Sequence, residues 1–266
     1  MRIILSFLFS ILCLGLHGGD FDGLKGQIDI AGGTAHIPVL KDAAKNVMKD
    51  NGEISISIAG GGSGVGVQKV GAGLVDIGTT GRKLSDKERE KYPLLSYAFA
   101  VDGIAVVVHP SNSVDFLTKA QVREIFSGAI TNWKEVGGED RAIHLYGRDD
   151  ASGTREVFTK KVASSADRGV VVVTSNGAMS GAVASDRSAI GYLSIGFIDE
   201  RVMGVALDGV EPTQENAING KYPVVRKLYM HTQPSPDLLT TAFIDYVMGP
   251  EVAPIIKKHG YIPTCK

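Results

Sequence analysis

Apolar positions along this chain recur in two rhythms that alternate in short blocks. Ile54-Ser55-Ile56-Ser57-Ile58 alternates strictly, the pattern of a half-buried strand, while Val39, Leu40, Ala43, Ala44, Val47 and Met48 just before it fall at helical spacing. The same reading predicts strands over 27–30, 75–78, 104–109, 143–146, 170–173, 190–193 and 224–230, with helices between them. Ser85 with Glu88 and Thr118 with Gln121 match the capping-box signature of a helix start, and Gly249-Pro250 and Gly260 supply stop signals. Strands that alternate with helices predict a mostly parallel sheet covered on both faces. No internal repeat or low-complexity linker interrupts the pattern.

The first block is different in kind. Met1-Arg2 is a short basic start, residues 3–16 are an almost unbroken apolar run, and His17-Gly18-Gly19-Asp20 is abruptly polar, the layout of a secretory leader. The run is short for a membrane span. Small residues at Cys13 and Gly15 place cleavage after Gly15 or a few residues later, giving a leader over 1–15. Leu12 ahead of Cys13 disfavours a lipid anchor there. With Cys13 removed, Cys265 has no intrachain partner and the fold stands without a disulfide.

Composition narrows the function classes. Of 266 residues 44% are apolar and 21% charged, a folded chain rather than a disordered one. Its 28 Lys+Arg against 29 Asp+Glu leave a formal charge of -1, so no basic field exists for a phosphate backbone and nucleic acid is excluded as a partner. The length allows one large α/β domain or two lobes.

Ligands of parallel α/β sheets bind where strand ends meet helix N-termini, which directs attention to three turns. They are Ala31-Gly32-Gly33-Thr34-Ala35, Gly60-Gly61-Gly62-Ser63-Gly64-Val65-Gly66, and Gly147-Arg148-Asp149-Asp150-Ala151-Ser152-Gly153-Thr154-Arg155. Each offers bare backbone N–H groups at the positive end of a helix and a hydroxyl donor, the chemistry of an oxyanion site. Arg148 adds a planar fork for a tetrahedral anion, and Asp150 is placed to hold that guanidinium. Any one such turn reads equally as an ordinary N-cap; three in one chain point to a shared anion site.

Other chemistries lack their motifs. The second turn fails G-x-G-x-x-G, and Val67 stands where a Walker loop needs Lys. Ser152 has no G-x-S-x-G frame, and His36, His109, His144, His231 and His259 show no metal-ligand spacing, so these histidines read as surface or satisfied structural residues. Trp133 reads as core. The sequence predicts no enzyme, no cofactor and no structural metal.

The three turns, Val75-Asp76-Ile77-Gly78, the run 117–133 with Phe126-Ser127-Gly128-Ala129-Ile130-Thr131-Asn132-Trp133, and Ala189-Ile190-Gly191-Tyr192 together resemble the periplasmic phosphate-binding proteins of ABC importers, the PstS type. The resemblance runs from about Gly26 to the C-terminus. It implies an α/β, two-lobed periplasmic-binding-protein fold of mixed, mostly parallel sheets with helices on both faces and two crossover strands as hinge. Lobe 1 would be 20–105 plus 225–266 and lobe 2 106–224. The implied partners are inorganic phosphate and the membrane permease subunits of an ABC importer, and the implied location is the periplasm.

Carried over by position, the resemblance makes Thr34 and Ser63 hydroxyl donors, Ala35 a backbone donor, Arg148 the charged fork, and Ser152, Gly153 and Thr154 the donors of the opposite lobe. Many relatives carry an aspartate after the V-D-x-G strand that accepts the phosphate proton; Gly81 stands there, followed by Arg82. Discrimination against sulfate is therefore expected to be weaker. Arg82 is either a second cation of the site or a solvated residue beside Lys83. Sensing or adhesion on the same fold, or another tetrahedral oxyanion as ligand, are the alternatives, since fold alone does not fix function.

Overall fold

The computed structural model describes residues 21–163 and 169–264; the expected leader over 1–15 and both cysteines lie outside that range. Strands run over Gly26–Gly32 (β1), Ile54–Ala59 (β2), Ile77–Thr80 (β3), Leu95–Val108 (β4), Phe116–Leu117 (β5), His144–Arg148 (β6), Val170–Val173 (β7), Ala189–Ser194 (β8), Met203–Gly204 (β9), Ala206–Leu207 (β10), Val225–Thr232 (β11) and Ile262–Pro263 (β12). Helices run over Ile37–Asp50 (α1), Ser63–Gly71 (α2), Asp86–Lys91 (α3), Lys119–Ser127 (α4), Gly153–Lys161 (α5), Asn176–Ala184 (α6), Gln214–Ile218 (α7), Leu238–Met248 (α8) and Ala253–Lys258 (α9). Both predicted capping boxes form, with Ser85 and Glu88 closing the start of α3 and Thr118 and Gln121 that of α4.

The main sheet has the order β2-β1-β3-β11-β4-β8-β6-β7. Its outer parts are parallel, β1 with β2 and β3, and β6 with β7 and β8. The middle is antiparallel, β11 against β3 and β4, and β4 against β8. Strand β4 serves both halves. Its first part, from Leu95 to Gly103, pairs with β11, and its last part, from Ile104 to Val108, pairs with β8.

Two separate hydrophobic cores follow from this. One gathers Ile28, Ile30, Val39, Leu40, Ile77, Phe99, Leu228 and Phe243; the other gathers Val106, Ile125, Phe126, Trp133, Phe158, Ile190 and Leu193. Trp133 is core as expected, its indole Nε1–H donating to Ser188 O at 3.1 Å. Phe158 and Tyr192 of the same core stack with ring centroids 4.0 Å apart. The chain passes between the cores along β4 near Gly103 and returns at the start of β11, so two adjacent strands join the halves.

The structure departs from the sequence reading where ladder contacts outweigh local pattern. β4 begins at Leu95, well before the expected 104, because its polar-interrupted first part is held by β11 rather than by its own alternation. β3 starts at Ile77 because the carboxylate of Asp76 instead takes the Asp29 N–H at 2.7 Å.

Two histidines are fully buried between elements. His36 lies against the Gly33 and Thr80 carbonyls, each 3.0 Å from a ring nitrogen, and burial followed by the nearby Arg226 charge pushes its pKa down to about 3. His231 contacts Thr80 and Ser96, and burial followed by the Arg82 charge pushes it down to about 4. The folded state keeps both neutral while the unfolded chain protonates them below about pH 6.5, so acid favours unfolding. Stability is expected to fall as pH drops from 6.5 toward 4, approaching about 1.4 kcal/mol per pH unit and per histidine. Urea midpoints between pH 7 and 4.5 check this, with a shallower slope in His231→Gln.

Candidate functional site

Six segments converge on one small closed cavity between the two halves. They are Gly33-Thr34-Ala35-His36 after β1, Gly62-Ser63 at the start of α2, Gly81 after β3, Arg148 at the end of β6, Ser152-Gly153-Thr154 at the start of α5, and Arg226 on β11. All three turns singled out from the sequence meet here. The cavity is about 10 Å³, space on the order of one water molecule and none for an organic substituent.

The hydroxyls in its wall are committed as acceptors elsewhere. Thr34 Oγ1 accepts from Asn176 N at 3.2 Å and from Asn176 Nδ2 at 3.0 Å. Both lone pairs are then filled, and the O–H is left to donate. Ser63 Oγ accepts the Gly81 N–H at 3.0 Å, and Ser152 Oγ accepts the Arg155 N–H at 3.2 Å as the cap of α5. The first N–H groups of α5, on Gly153 and Thr154, have no partner within the helix. Among the described lining residues there is no carboxylate, so the wall presents donors to whatever fills it.

Arg148 dominates the charge. It is only 3% exposed; Nε donates to Val173 O and Nη2 to Thr174 O, both at 3.1 Å, while Nη1 is buried without a hydrogen-bond partner. Burial presses its pKa down, partly offset by Asp149. The expectation that Asp150 braces this guanidinium is overturned. Asp150 is almost fully exposed and pairs with Arg155, because the turn before α5 points it at the first helical turn rather than back at β6. Backbone carbonyls do the bracing, leaving the charge of Arg148 without a bound acid.

Arg82 is also corrected. It does not line the cavity: Nη1 and Nη2 bond the Glu88 carboxylate at 2.7 and 2.8 Å, and Nε contacts Glu156 at 2.5 Å. Burial would raise the Glu88 pKa, yet the bonds from Arg82 and the Ser85 N–H more than offset it and hold it at about 2. Two carboxylates thus consume that cation, one from each half of the molecule.

The second cation of the cavity is Arg226, which the sequence reading missed. It stands opposite Asp102 in the β4–β11 ladder; Nε donates to Asp102 Oδ2 at 2.8 Å and Nη2 lies 2.8 Å from the same oxygen. Burial pushes the Asp102 carboxyl up, against the pull of Arg226 and the Ser194 hydroxyl. Arg226 Nη1 lies 2.5 Å from where a Cβ on Gly81 would stand, so a guanidinium fills the space beside the position where the resemblance led us to expect an aspartate. A signal for Arg226 existed: it shares the inward parity of Val224, Leu228 and Met230, all buried. Asn176 was likewise legible as the start of a fourth strand-to-helix turn, Thr174-Ser175-Asn176-Gly177. His36, read as structural, is buried in the cavity wall with both nitrogens against carbonyls.

A closed, donor-lined cleft between two α/β lobes joined by paired strands defines a solute-binding protein of the periplasmic type. Residues 22–251 match the family described as PBP superfamily domain, and the chain belongs to that family. Within it the resemblance is to the PstS proteins. The chain is 34% identical over 245 residues to the phosphate-binding protein PstS of Bacillus subtilis, covering 90% of this chain and 81% of that one. A substrate-binding protein from Clostridium perfringens, solved with phosphate bound, matches with a TM-score of 0.86 at 32% identity over 90% of this chain and 100% of that one. An ABC-type phosphate transport receptor from Vibrio cholerae matches with a TM-score of 0.71 at 31% identity, over 88% and 99%.

Close packing across the cleft gives a direct test of the geometry. A Cβ on Gly153 would overlap Ser63 Oγ from the opposite half. Gly153→Ala is expected to hold the halves apart and to cost about 1–3 kcal/mol of stability. Urea denaturation measures the cost, and small-angle scattering should report a larger radius of gyration than the parent.

Proposed function

We propose that this chain binds inorganic phosphate in the cleft cavity and delivers it to the permease subunits of an ABC importer. The observation that carries the reading is a buried cavity lined by donors, with the Arg148 guanidinium beside it and no acid against that charge. Thr34, Ser63 and Ser152 donate through their hydroxyls, Ala35, Gly153 and Thr154 through backbone N–H groups, and Arg148 through Nη1. Arg226, ion-paired with Asp102, lines the cavity behind Gly81. The Bacillus subtilis relative is named for phosphate binding and the Clostridium perfringens structure holds phosphate, which supports the same ligand here.

The remaining parts of the reading follow from this role. The chain works outside the cytoplasm after removal of the leader over 1–15, and no helix among the described residues is long and apolar enough to cross a membrane. It binds and releases without catalysis. The segments 20–105 plus 225–266 and 106–224 are the two lobes, turning about the β4–β11 pair. The Thr34–Asn176 bonds and the Arg82–Glu156 contact then form on closure.

A donor-lined cavity whose one cation without an acidic partner is Arg148, with no carboxylate among the described lining residues, favours the more charged phosphate species. His36 and His231 are neutral throughout the physiological range, so the ligand alone titrates. Affinity is expected to rise from pH 6 and level off by pH 8, and millimolar sulfate is expected to compete. Calorimetric titration of phosphate-stripped protein at pH 6, 7 and 8, with and without sulfate, checks both.

The residues should rank by charge. Arg148→Ala is expected to cost about 2–5 kcal/mol of binding and Ser63→Ala about 1–2 kcal/mol. In thermal melts, phosphate at 1,000 times Kd should add about 4 kcal/mol to the parent, a shift of several degrees. No shift, or equal losses in the two variants, overturns the assignment.

A further inference from the structure

A second cavity, about 930 Å³, opens between the halves beside the joining strands. Its walls come from the segment entering α3, from one face of α5, and from β4 and β11. Arg226 lines both cavities and so forms part of the partition between them. The volume lies in the range of small-molecule sites, far above what an inorganic oxyanion fills.

Its lining combines two chemistries. Val101, Val157, Val225 and Tyr229 are partly exposed and give it apolar surface. Around them stand Lys83, Lys160 and Lys227, exposed and without an acidic partner among the described residues. Lys161 also carries no carboxylate, its Nζ donating to Val225 O at 2.9 Å and Pro223 O at 3.3 Å. The two acids in the lining are already engaged, Asp86 by Arg89 and Glu156 by Arg82. The groove therefore keeps a net positive charge over apolar walls, although the whole chain is close to neutral.

We propose that this groove is a second binding site, for an amphipathic organic anion: an aromatic body carrying a carboxylate, sulfonate or phosphate. The apolar body buries against the valines and the Tyr229 ring, and the acid group meets the lysine ammoniums. The site is separate from the oxyanion cavity, which is too small to admit such a body.

The probe is 8-anilinonaphthalene-1-sulfonate, titrated by fluorescence into the full chain in saturating phosphate. One saturable site per chain with a blue-shifted emission is expected. Lys160→Glu/Lys227→Glu should weaken it at least ten-fold while changing phosphate affinity less than two-fold. Lys45→Glu/Lys49→Glu, the same charge change on the exposed face of α1, should leave dye binding within two-fold of the parent. Unsaturable binding, several sites per chain, or equal weakening by the two double variants overturns the proposal. A normal dye isotherm beside an absent phosphate heat would overturn the reading of the small cavity and leave the groove standing.

Discussion

The structure turns on a buried guanidinium that has no acid against it. Arg148 is held in place by two backbone carbonyls, which orient the fork and supply little countercharge. Taking a cation out of water costs several kcal/mol unless a counterion meets it. The protein accepts that cost at the one place where six segments from both halves also present hydroxyl and amide hydrogens. In the proposed function an anion entering the cleft would return the missing charge, so that binding and lobe closure would stabilise each other.

The hinge extends the same logic. Where β4 and β11 carry the chain between the two cores, Asp102 and Arg226 face each other across the ladder and are both buried. The pair fixes strand register at the crossing and leaves Nη1 of Arg226 beside Gly81. A Cβ at position 81 would stand 2.5 Å from that nitrogen, so the glycine leaves room for the guanidinium. The outer contact of Arg82 with Glu88 and Glu156 likewise cancels its charges locally, and it ties the halves together outside the cavity.

Much of this was legible along the chain. Short strands such as β2 and β7 announce themselves because alternation and β-branched runs are local properties. The three turns were visible for the same reason, since Gly, Ser and Thr at a strand-to-helix junction carry their chemistry within a few residues. What stayed hidden depends on partners far away in sequence. Asp102 and Arg226 are 124 residues apart, and neither looks functional until the ladder sets them side by side. Asp150 misled because proximity in sequence to Arg148 is not proximity in space once α5 begins at Gly153. Arg82 misled because its partners, Glu88 and Glu156, come from two different helices.

The central claim is that the cavity takes the anion as a dianion, with no carboxylate among its described lining residues to receive a proton. Calorimetry of phosphate binding near pH 6, repeated in buffers of different ionisation enthalpy, counts the protons exchanged. The account predicts release of most of one proton per anion bound, because the monoanion that dominates in solution must lose its proton and the buried histidines stay neutral. Binding with no proton released would contradict it, and would mean that a group in the wall accepts the phosphate proton.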